Sequence, residues 1–103
     1  MAKFVLAYRG GAMAETEEAQ KAAMDAWIGW FGSLGDAVTD MGNPFGASAS
    51  VGPDGSVGKV STGALSGYSI VTADSLDSAT VLAKGCPVLA GDGSVEVYEA
   101  IVM

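Results

Sequence analysis

Two strand–helix–strand patterns follow one another along this chain of 103 residues, and their order limits the folds that it can adopt. Residues 3–8 are rich in aromatic and β-branched side chains, which favours a first strand. From 16 to 34 the apolar residues recur every three or four positions and predict a helix, with Thr16 as its N-cap and Gly35 at its end. The residues expected to face the core are Ala19, Ala22, Ala23, Ala26, Trp27, Trp30, Phe31 and Leu34.

The second pattern follows a segment of weak periodicity. Residues 36–41 predict a second strand, and residues 42–67 are rich in Gly, Ser and Ala. Within them Pro53, Asp54 and Gly55 form a turn signature, which predicts a short hairpin. Residues 68–72 predict a third strand, residues 74–84 a helix capped by Asp74 or Ser75, and residues 95–102 a last strand. The inner face of this helix is expected to carry Leu76, Ala79, Thr80 and Ala83.

These elements predict an α+β fold with a single domain over residues 1–103. Right-handed crossovers would place both helices on one face of a four-stranded antiparallel sheet, which is the ferredoxin-like βαββαβ arrangement. The other face then has no helix. Such a face must be solvated, covered by a partner or used as the wall of a pocket.

Apolar residues lie on both faces of the predicted first strand, which favours a partner that covers the second face. Phe4, Leu6 and Tyr8 alternate with Val5 and Ala7, and helices can cover only one of these sets. With a mean hydropathy of +0.35 and 17% charged residues, an uncovered apolar face would promote association. We therefore expect a homodimer in which two sheets pair as a dimeric α+β barrel.

The charge balance disfavours several other partners. Five Lys and Arg residues stand against twelve Asp and Glu residues, and the net charge of −7 repels nucleic-acid phosphates and anionic membrane surfaces. No apolar run has the length of a membrane span. The single cysteine, Cys86, cannot form an intrachain disulfide and suits a reducing compartment. We expect a cytoplasmic protein that binds neither nucleic acid nor membranes.

The chain contains no histidine, which removes the usual parts of several chemistries. Ser-His-Asp and Cys-His nucleophile systems, His-ligated haem and most catalytic zinc sites all need imidazole. The sequence predicts no metal site and indicates no cofactor. Any chemistry would therefore depend on carboxylate, Tyr, Lys, Arg or backbone amide groups.

A few residues remain as site candidates, each with a simpler alternative. Arg9, the only arginine, follows the first strand and could bind a carboxylate or phosphate, or form a surface ion pair. Trp27 and Trp30 could line a pocket for a planar ligand, or simply form core. Tyr8 and Tyr68 could donate to a substrate oxygen and Asp40 could act as a general base, or they are packed aromatics and a solvated carboxylate. The candidate catalytic residues are Asp40 and Tyr68, and the candidate ligand-binding residues are Arg9, Tyr8, Trp27 and Trp30.

Short segments along nearly the whole chain carry a family resemblance. They are KFVLAYRG at 3–10, WIGWF at 27–31, GNPF at 42–45, GYSIV at 67–71, ADSL at 73–76, GCP at 85–87 and GDGSVEV at 91–97. In this order they resemble the YCII-related, or Asp-Gly-Pro-Phe, family of small dimeric α+β barrel proteins. The resemblance implies the fold and the dimer.

The resemblance implies no reaction for this chain. Residues 61–65 read STGAL where many members carry the Asp-Gly-Pro-Phe tetrapeptide. Trp27 stands nearest to the position at which enzyme-like members carry a histidine, thought to pair with an aspartate. A His–Asp acid–base mechanism is therefore not expected.

Three functions stay open on the sequence. The first is binding of a small anionic or planar molecule in a pocket between sheet and helices, near Arg9, Trp27, Asp40 and Tyr68. The second is a cofactor-independent enzyme, like the antibiotic-biosynthesis monooxygenases among other dimeric α+β barrels. The third is a structural or regulatory partner domain.

The absence of histidine gives a direct test. Purified protein, freed of any purification tag, should contain no stoichiometric zinc, iron or copper and show no haem absorption, because one cysteine and no imidazole cannot form the usual sites. Elemental analysis and an absorption spectrum measure this. A reproducible equivalent of one of these metals would contradict the expectation.

Overall fold

Over the residues that the structure describes, the fold is α+β, with a four-stranded antiparallel sheet, a separate two-stranded hairpin and two α-helices. The computed structural model describes residues 2–10, 15–60 and 65–102. The elements are β1 (Ala2–Arg9), α1 (Glu17–Leu34), β2 (Val38–Asp40), β3 (Ser50–Val51), β4 (Val57–Gly58), β5 (Leu65–Ala73), α2 (Leu76–Ala83) and β6 (Ser94–Ala100), with 3₁₀ helices over Gly35–Ala37 and Pro87–Gly91. Within the described ranges, no helix combines the length and the apolar character needed to cross a membrane.

The larger sheet has the strand order β2-β5-β1-β6, and its neighbouring strands pair antiparallel. The α+β class and the four-stranded antiparallel sheet predicted from the sequence are thus confirmed. The order is compatible with a ferredoxin-like arrangement, because β1 and β5 open the two halves of the chain and lie inside, whereas β2 and β6 lie outside.

Several predicted boundaries are corrected by the structure. The second strand was expected over 36–41, but a 3₁₀ helix occupies Gly35–Ala37 and leaves only Val38–Asp40 for β2. The third strand runs over Leu65–Ala73 rather than 68–72, because β5 pairs with β1 along its length. The last strand ends at Ala100, before residues 101–102. Gly11 and residues 61–64, which include most of the STGAL segment, lie outside the described residues.

Helix α1 begins and ends as its sequence predicts. The Thr16 side chain accepts a hydrogen bond of 3.0 Å from the backbone N–H of Ala19, and Glu17 and Glu18 occupy the first turn near the positive end of the helix dipole. At the other end Gly35 adopts a φ of 57°, which favours glycine, and its N–H donates to the carbonyl of Phe31. These local signals fix the length of the helix.

The first half of α1 does not face the core, contrary to the prediction for its alanines. Every residue over 17–26 is exposed, including Ala19, Ala22, Ala23 and Ala26, and Trp30 is the buried residue of the helix. The helix is about 27 Å long at ~1.5 Å per residue. Trp27, Phe31 and Leu34 are partly buried against the core, so α1 is anchored by its second half alone.

Helix α2 covers the sheet with its small residues. Ser75 caps it by accepting from the backbone N–H of Ser78 at 3.1 Å, and Ala79 and Ala83 are buried as predicted. Leu76 is 50% exposed and Thr80 is exposed, so these two predictions for the inner face are wrong. The hydroxyl of Thr80 instead donates to the carbonyl of Leu76 at 2.8 Å. Alanine at the contact lets the helix lie close to the strands.

The core lies on one face of the sheet, beneath the helices. In β1 the residues Phe4, Leu6 and Tyr8 belong to it, because alternate side chains of a strand point to the same face. The other buried members of this cluster are Trp30, Val71, Ala73, Ala79, Ala83, Cys86 and Val88. We call this side of the sheet the covered face.

The predicted hairpin is confirmed as the two-stranded sheet of β3 and β4. The carbonyl of Gly52 accepts from the N–H of Gly55 at 2.9 Å and closes the turn over Pro53 and Asp54. Gly55 has a φ of 85°, a conformation that glycine adopts without strain. The Asp54 carboxylate accepts from both the N–H and the hydroxyl of Ser56, which stabilises the turn.

The unequal burial of α1 leads to a pair of matched variants. Trp30→Ala should lower the free energy of unfolding by about 3–5 kcal/mol, because it empties a large buried volume. Ala23→Gly should lower it by no more than about 1 kcal/mol, the helix-propensity difference at an exposed site. Urea denaturation followed by circular dichroism measures both. Equal losses would contradict the anchoring of α1 by its second half.

Candidate functional site

The side of the sheet opposite the core carries polar and aromatic side chains that the helices leave uncovered. We call it the helix-free face. Strand alternation and the pairing registers place its residues in rows across β6, β1 and β5. Its members are Arg9, Glu96, Ala7, Tyr68, Tyr98, Val5, Ile70, Ala100, Lys3 and Thr72.

A charged network occupies one end of this face. The Nε of Arg9 donates to Oε1 of Glu96 in an ion pair, and the hydroxyl of Tyr98 donates to Oε2 of the same carboxylate at 2.8 Å. The hydrogen bonds from Arg9 and Tyr98 lower the pKa of the Glu96 carboxyl, and the carboxylate in turn raises the pKa of Arg9 and of Tyr98. The Arg9 and Glu96 side chains remain 39% exposed each. This network is held together and still accessible.

The register of β1 with β6 brings the network together. Glu96 pairs with Ala7 and Ser94 pairs with Arg9, so the Arg9 and Glu96 side chains are diagonal neighbours on one face. Gly93 allows the backbone to approach, because a Cβ there would lie 2.8 Å from the Arg9 carbonyl oxygen. In the described part of the chain the Arg9 guanidinium interacts with Glu96 through Nε and also with the Tyr98 hydroxyl. A guanidinium has five N–H donors, so these two partners leave donors for a ligand.

An aromatic wall lies on the opposite side of Ala7. The rings of Phe45 and Tyr68 stack with centroids 5.6 Å apart and planes at 18°. Phe45 reaches this place because its N–H donates to the Ser66 carbonyl at 2.9 Å and continues the pairing of β5 beyond β2. Gly42 permits the approach, since its φ is 75° and a Cβ there would overlap the Tyr68 carbonyl oxygen.

Ala7 forms the floor between the network and the wall. It pairs with Glu96 on one side and Tyr68 on the other, so these two residues lie about 10 Å apart, two strand spacings. Ala7 is 3% exposed beneath its larger neighbours. We call the part of the helix-free face that is centred on Ala7 and bounded by Arg9, Glu96 and Tyr68 the Ala7 trough. A guanidinium edge beside aromatic rings suits a flat molecule that carries a negative charge.

Three of the sequence candidates lie on the covered face instead. Trp27 contacts Tyr8 edge-on at 5.1 Å between centroids and Trp30 at 5.7 Å, and Trp30 Nε1 donates to the Leu82 carbonyl at 3.2 Å. The hydroxyl of Tyr8 donates to Ser69 at 2.7 Å, and Ser69 donates to the Met41 carbonyl at 2.6 Å. These contacts are those of core residues whose polar atoms are satisfied.

The six candidates therefore do not form one site. Arg9 and Tyr68 share the helix-free face, whereas Tyr8, Trp27 and Trp30 pack together beneath the helices. Asp40 is exposed and accepts from the N–H of Gly42 at 2.8 Å in a local turn. The sequence reasoning missed Glu96, Tyr98 and Phe45. The alternation of Glu96 and Tyr98 in the last strand was visible, but their contact with Arg9 depends on the register.

Cys86 belongs to the buried core on the covered face and contributes no reactive group. It is 3% exposed, and burial raises the pKa of its thiol to about 11, so the thiolate is scarce at neutral pH. Residues 2–10, 15–60 and 65–102 contain no cluster of three or more His, Cys, Asp or Glu side chains that could hold a metal ion.

Two open cavities lie away from the trough. One of about 480 Å³ is lined by Ile28, Phe31, Gly32, Gly35, Val38 and Met41, and one of about 550 Å³ by Ala2, Lys3, Asp74, Glu99, Ala100, Ile101 and Val102. Neither includes Arg9 or Tyr68. A second molecule would have to cover the Ala7 trough to make a closed site.

Comparisons with protein-family models, with curated proteins and with solved structures find no match for this chain. The function has to be inferred from its own residues.

Because the Tyr8 phenol and the Cys86 thiol are buried, we predict that the protein loses stability at alkaline pH. Burial raises the pKa of Tyr8 above its ordinary value of ~10 and that of Cys86 to about 11, so the unfolded chain releases both protons first. The free energy of unfolding should be unaffected by these groups below pH ~8.5 and fall as the pH rises from there through the folded pKa values. Urea denaturation at several pH values measures the decline.

Tyr8→Phe provides the matched variant. It should cost about 1 kcal/mol at neutral pH, because Ser69 keeps its acceptor at Met41, and it should reduce the decline above pH ~10. Cys86→Ala should reduce the decline that begins near pH ~8.5. Identical alkaline slopes in wild type and Tyr8→Phe would contradict this origin.

Proposed function

We propose that two copies of this chain pair through their helix-free faces, as a dimeric α+β barrel of the YCII-related type, and that the pair binds a small, planar, anionic molecule in the Ala7 trough. The observation that carries the proposal is the Arg9–Glu96–Tyr98 network, a preorganised cation edge beside an aromatic wall on an uncovered sheet face. The free thiol of Cys86 suits a cytoplasmic protein.

The shape of the chain supports the pairing. Its extents are 44 × 41 × 19 Å and its radius of gyration is 15.0 Å, larger than the ~13 Å of a compact domain of this size. A slab of this thickness has one sheet and one helix layer, so half of the sheet surface stays open. Val5 and Ile70 lie at the centre of that surface, and Tyr98 beside them is 52% exposed.

The size of the face also suits a dimer. The four strands have eight, nine, seven and three residues, which at ~3.3 Å per residue and ~4.8 Å spacing give a flat area of roughly 430 Å², and protruding side chains enlarge the accessible surface. A standard interface buries ~800 Å² per partner. A two-fold pairing buries the same patch on both copies and would close the trough from above.

The electrostatics favour binding over proton abstraction. The carboxylate that faces the trough, Glu96, has its pKa lowered by Arg9 and Tyr98, which makes it a weak base. Asp40 is exposed and engaged by Gly42. On the covered face, Tyr8 and Trp30 are buried members of the core.

The dimer is tested by charging the centre of the helix-free face. Wild type should give about twice the chain mass of 10.3 kDa in light scattering at micromolar concentration, and Val5→Lys should give monomers or insoluble protein. Val81→Lys is the matched control, because Val81 is 62% exposed on the helix layer and should leave the mass unchanged. Native mass spectrometry of freshly purified protein would also reveal a retained small molecule. A soluble wild-type monomer would refute the pairing.

A further inference from the structure

We propose that Glu96 makes the Ala7 trough selective for singly charged planar carboxylates over doubly charged phosphates. This rests on the proposed function, because it specifies the ligand class of the same site. The proposal rests on one contact: the Glu96 carboxylate is held against the Arg9 guanidinium, the one guanidinium of the trough.

The Arg9 contact leaves a single edge for a ligand. A guanidinium has five N–H donors in a fixed plane, and here Nε donates to Glu96. Tyr98 also interacts with the guanidinium, and two of the remaining terminal N–H groups can match the two oxygens of one carboxylate. A ligand carboxylate on this edge lies in the plane of the guanidinium, close to Glu96.

Glu96 cannot easily move away from such a ligand. Tyr98 donates to its second oxygen at 2.8 Å, so both oxygens are held, one by Arg9 and one by Tyr98. Hydrogen bonding from these partners lowers the pKa of Glu96, which keeps it ionised at neutral pH. Arg9 and Glu96 together have no net charge. Each negative charge on the ligand is therefore attracted by one group and repelled by its neighbour.

A second negative charge at the trough has no nearby cation to offset it. Among the described residues of the helix-free face the other cation is Lys3, which lies six residues along β1 from Arg9, roughly 20 Å away. A phosphate dianion would place its second negative charge beside Glu96, with no second cation nearby to offset the repulsion. A monoanionic carboxylate places only one negative charge beside Glu96, and its ring can stack on the aromatic wall of Tyr68 and Phe45, whose own centroids are 5.6 Å apart.

Benzoate and phenyl phosphate are the two probes, since both present one ring and differ in charge above pH ~7. Isothermal titration calorimetry at pH ~7.5 and low salt should show that wild type binds benzoate about tenfold or more tightly than phenyl phosphate. Glu96→Gln should bring the two affinities within about threefold, because it removes the repulsion and keeps a hydrogen-bond acceptor for Tyr98. Arg9→Gln should lose both ligands.

Glu99→Gln is the matched control. Glu99 lies on the same strand, pairs with Phe4 and so belongs to the other face, and its substitution changes the net charge by the same amount. It should keep the wild-type preference for benzoate, and circular dichroism should show that all variants are folded.

The outcomes separate the two proposals. An unchanged preference in Glu96→Gln, with benzoate binding that still depends on Arg9, would overturn the role of Glu96 and leave the site in place. If Glu99→Gln also loses the preference for benzoate, the preference arises from the net charge of the protein, and the inference is overturned. Wild type that binds neither probe, or an Arg9→Gln protein that binds both, would overturn the proposed site itself.

Discussion

Strand β1 divides the molecule into two environments, and the rest of the structure depends on this division. It pairs with β5 on one side and β6 on the other, so its register is fixed from both edges. Phe4, Leu6 and Tyr8 enter the core, whereas Val5, Ala7 and Arg9 face away from it. A slip of one residue would exchange the two sets and place the guanidinium beneath the helices, so the core and the candidate site specify the same register.

The two faces use similar residues for different purposes. Beneath the helices, Tyr8 and Trp30 have their polar atoms satisfied by Ser69 and by a backbone carbonyl, so their rings serve packing. On the open side, Tyr98 directs its hydroxyl to Glu96 and remains half exposed. Burial therefore decides which aromatic residues can recognise a ligand, and residue type alone does not.

The elements of the fold could be predicted because their signals are local. Thr16 and Gly35 act within one turn of α1, and the turn at Pro53 to Gly55 forms from its own residues. The exposure of Ala22 and Ala23 could not be predicted, because alanine suits buried and exposed helix positions equally. The candidate site depends on contacts distant in sequence: Arg9 and Glu96 are 87 residues apart, and only the strand register brings them together. Arg9 could be identified as a candidate because it is the only arginine of the sequence. Its partners Glu96 and Tyr98 were not identified.

The exposed first half of α1 implies that the chain has regions of unequal local stability. Residues 17–26 rely on helix propensity and on the Thr16 cap instead of on tertiary packing. Such a segment opens and closes without disturbing the anchored half around Trp30, so its amide protons would exchange with solvent long before those of β1. We therefore expect the helix, although continuous in geometry, to behave as two units in hydrogen exchange, with their boundary at Trp27.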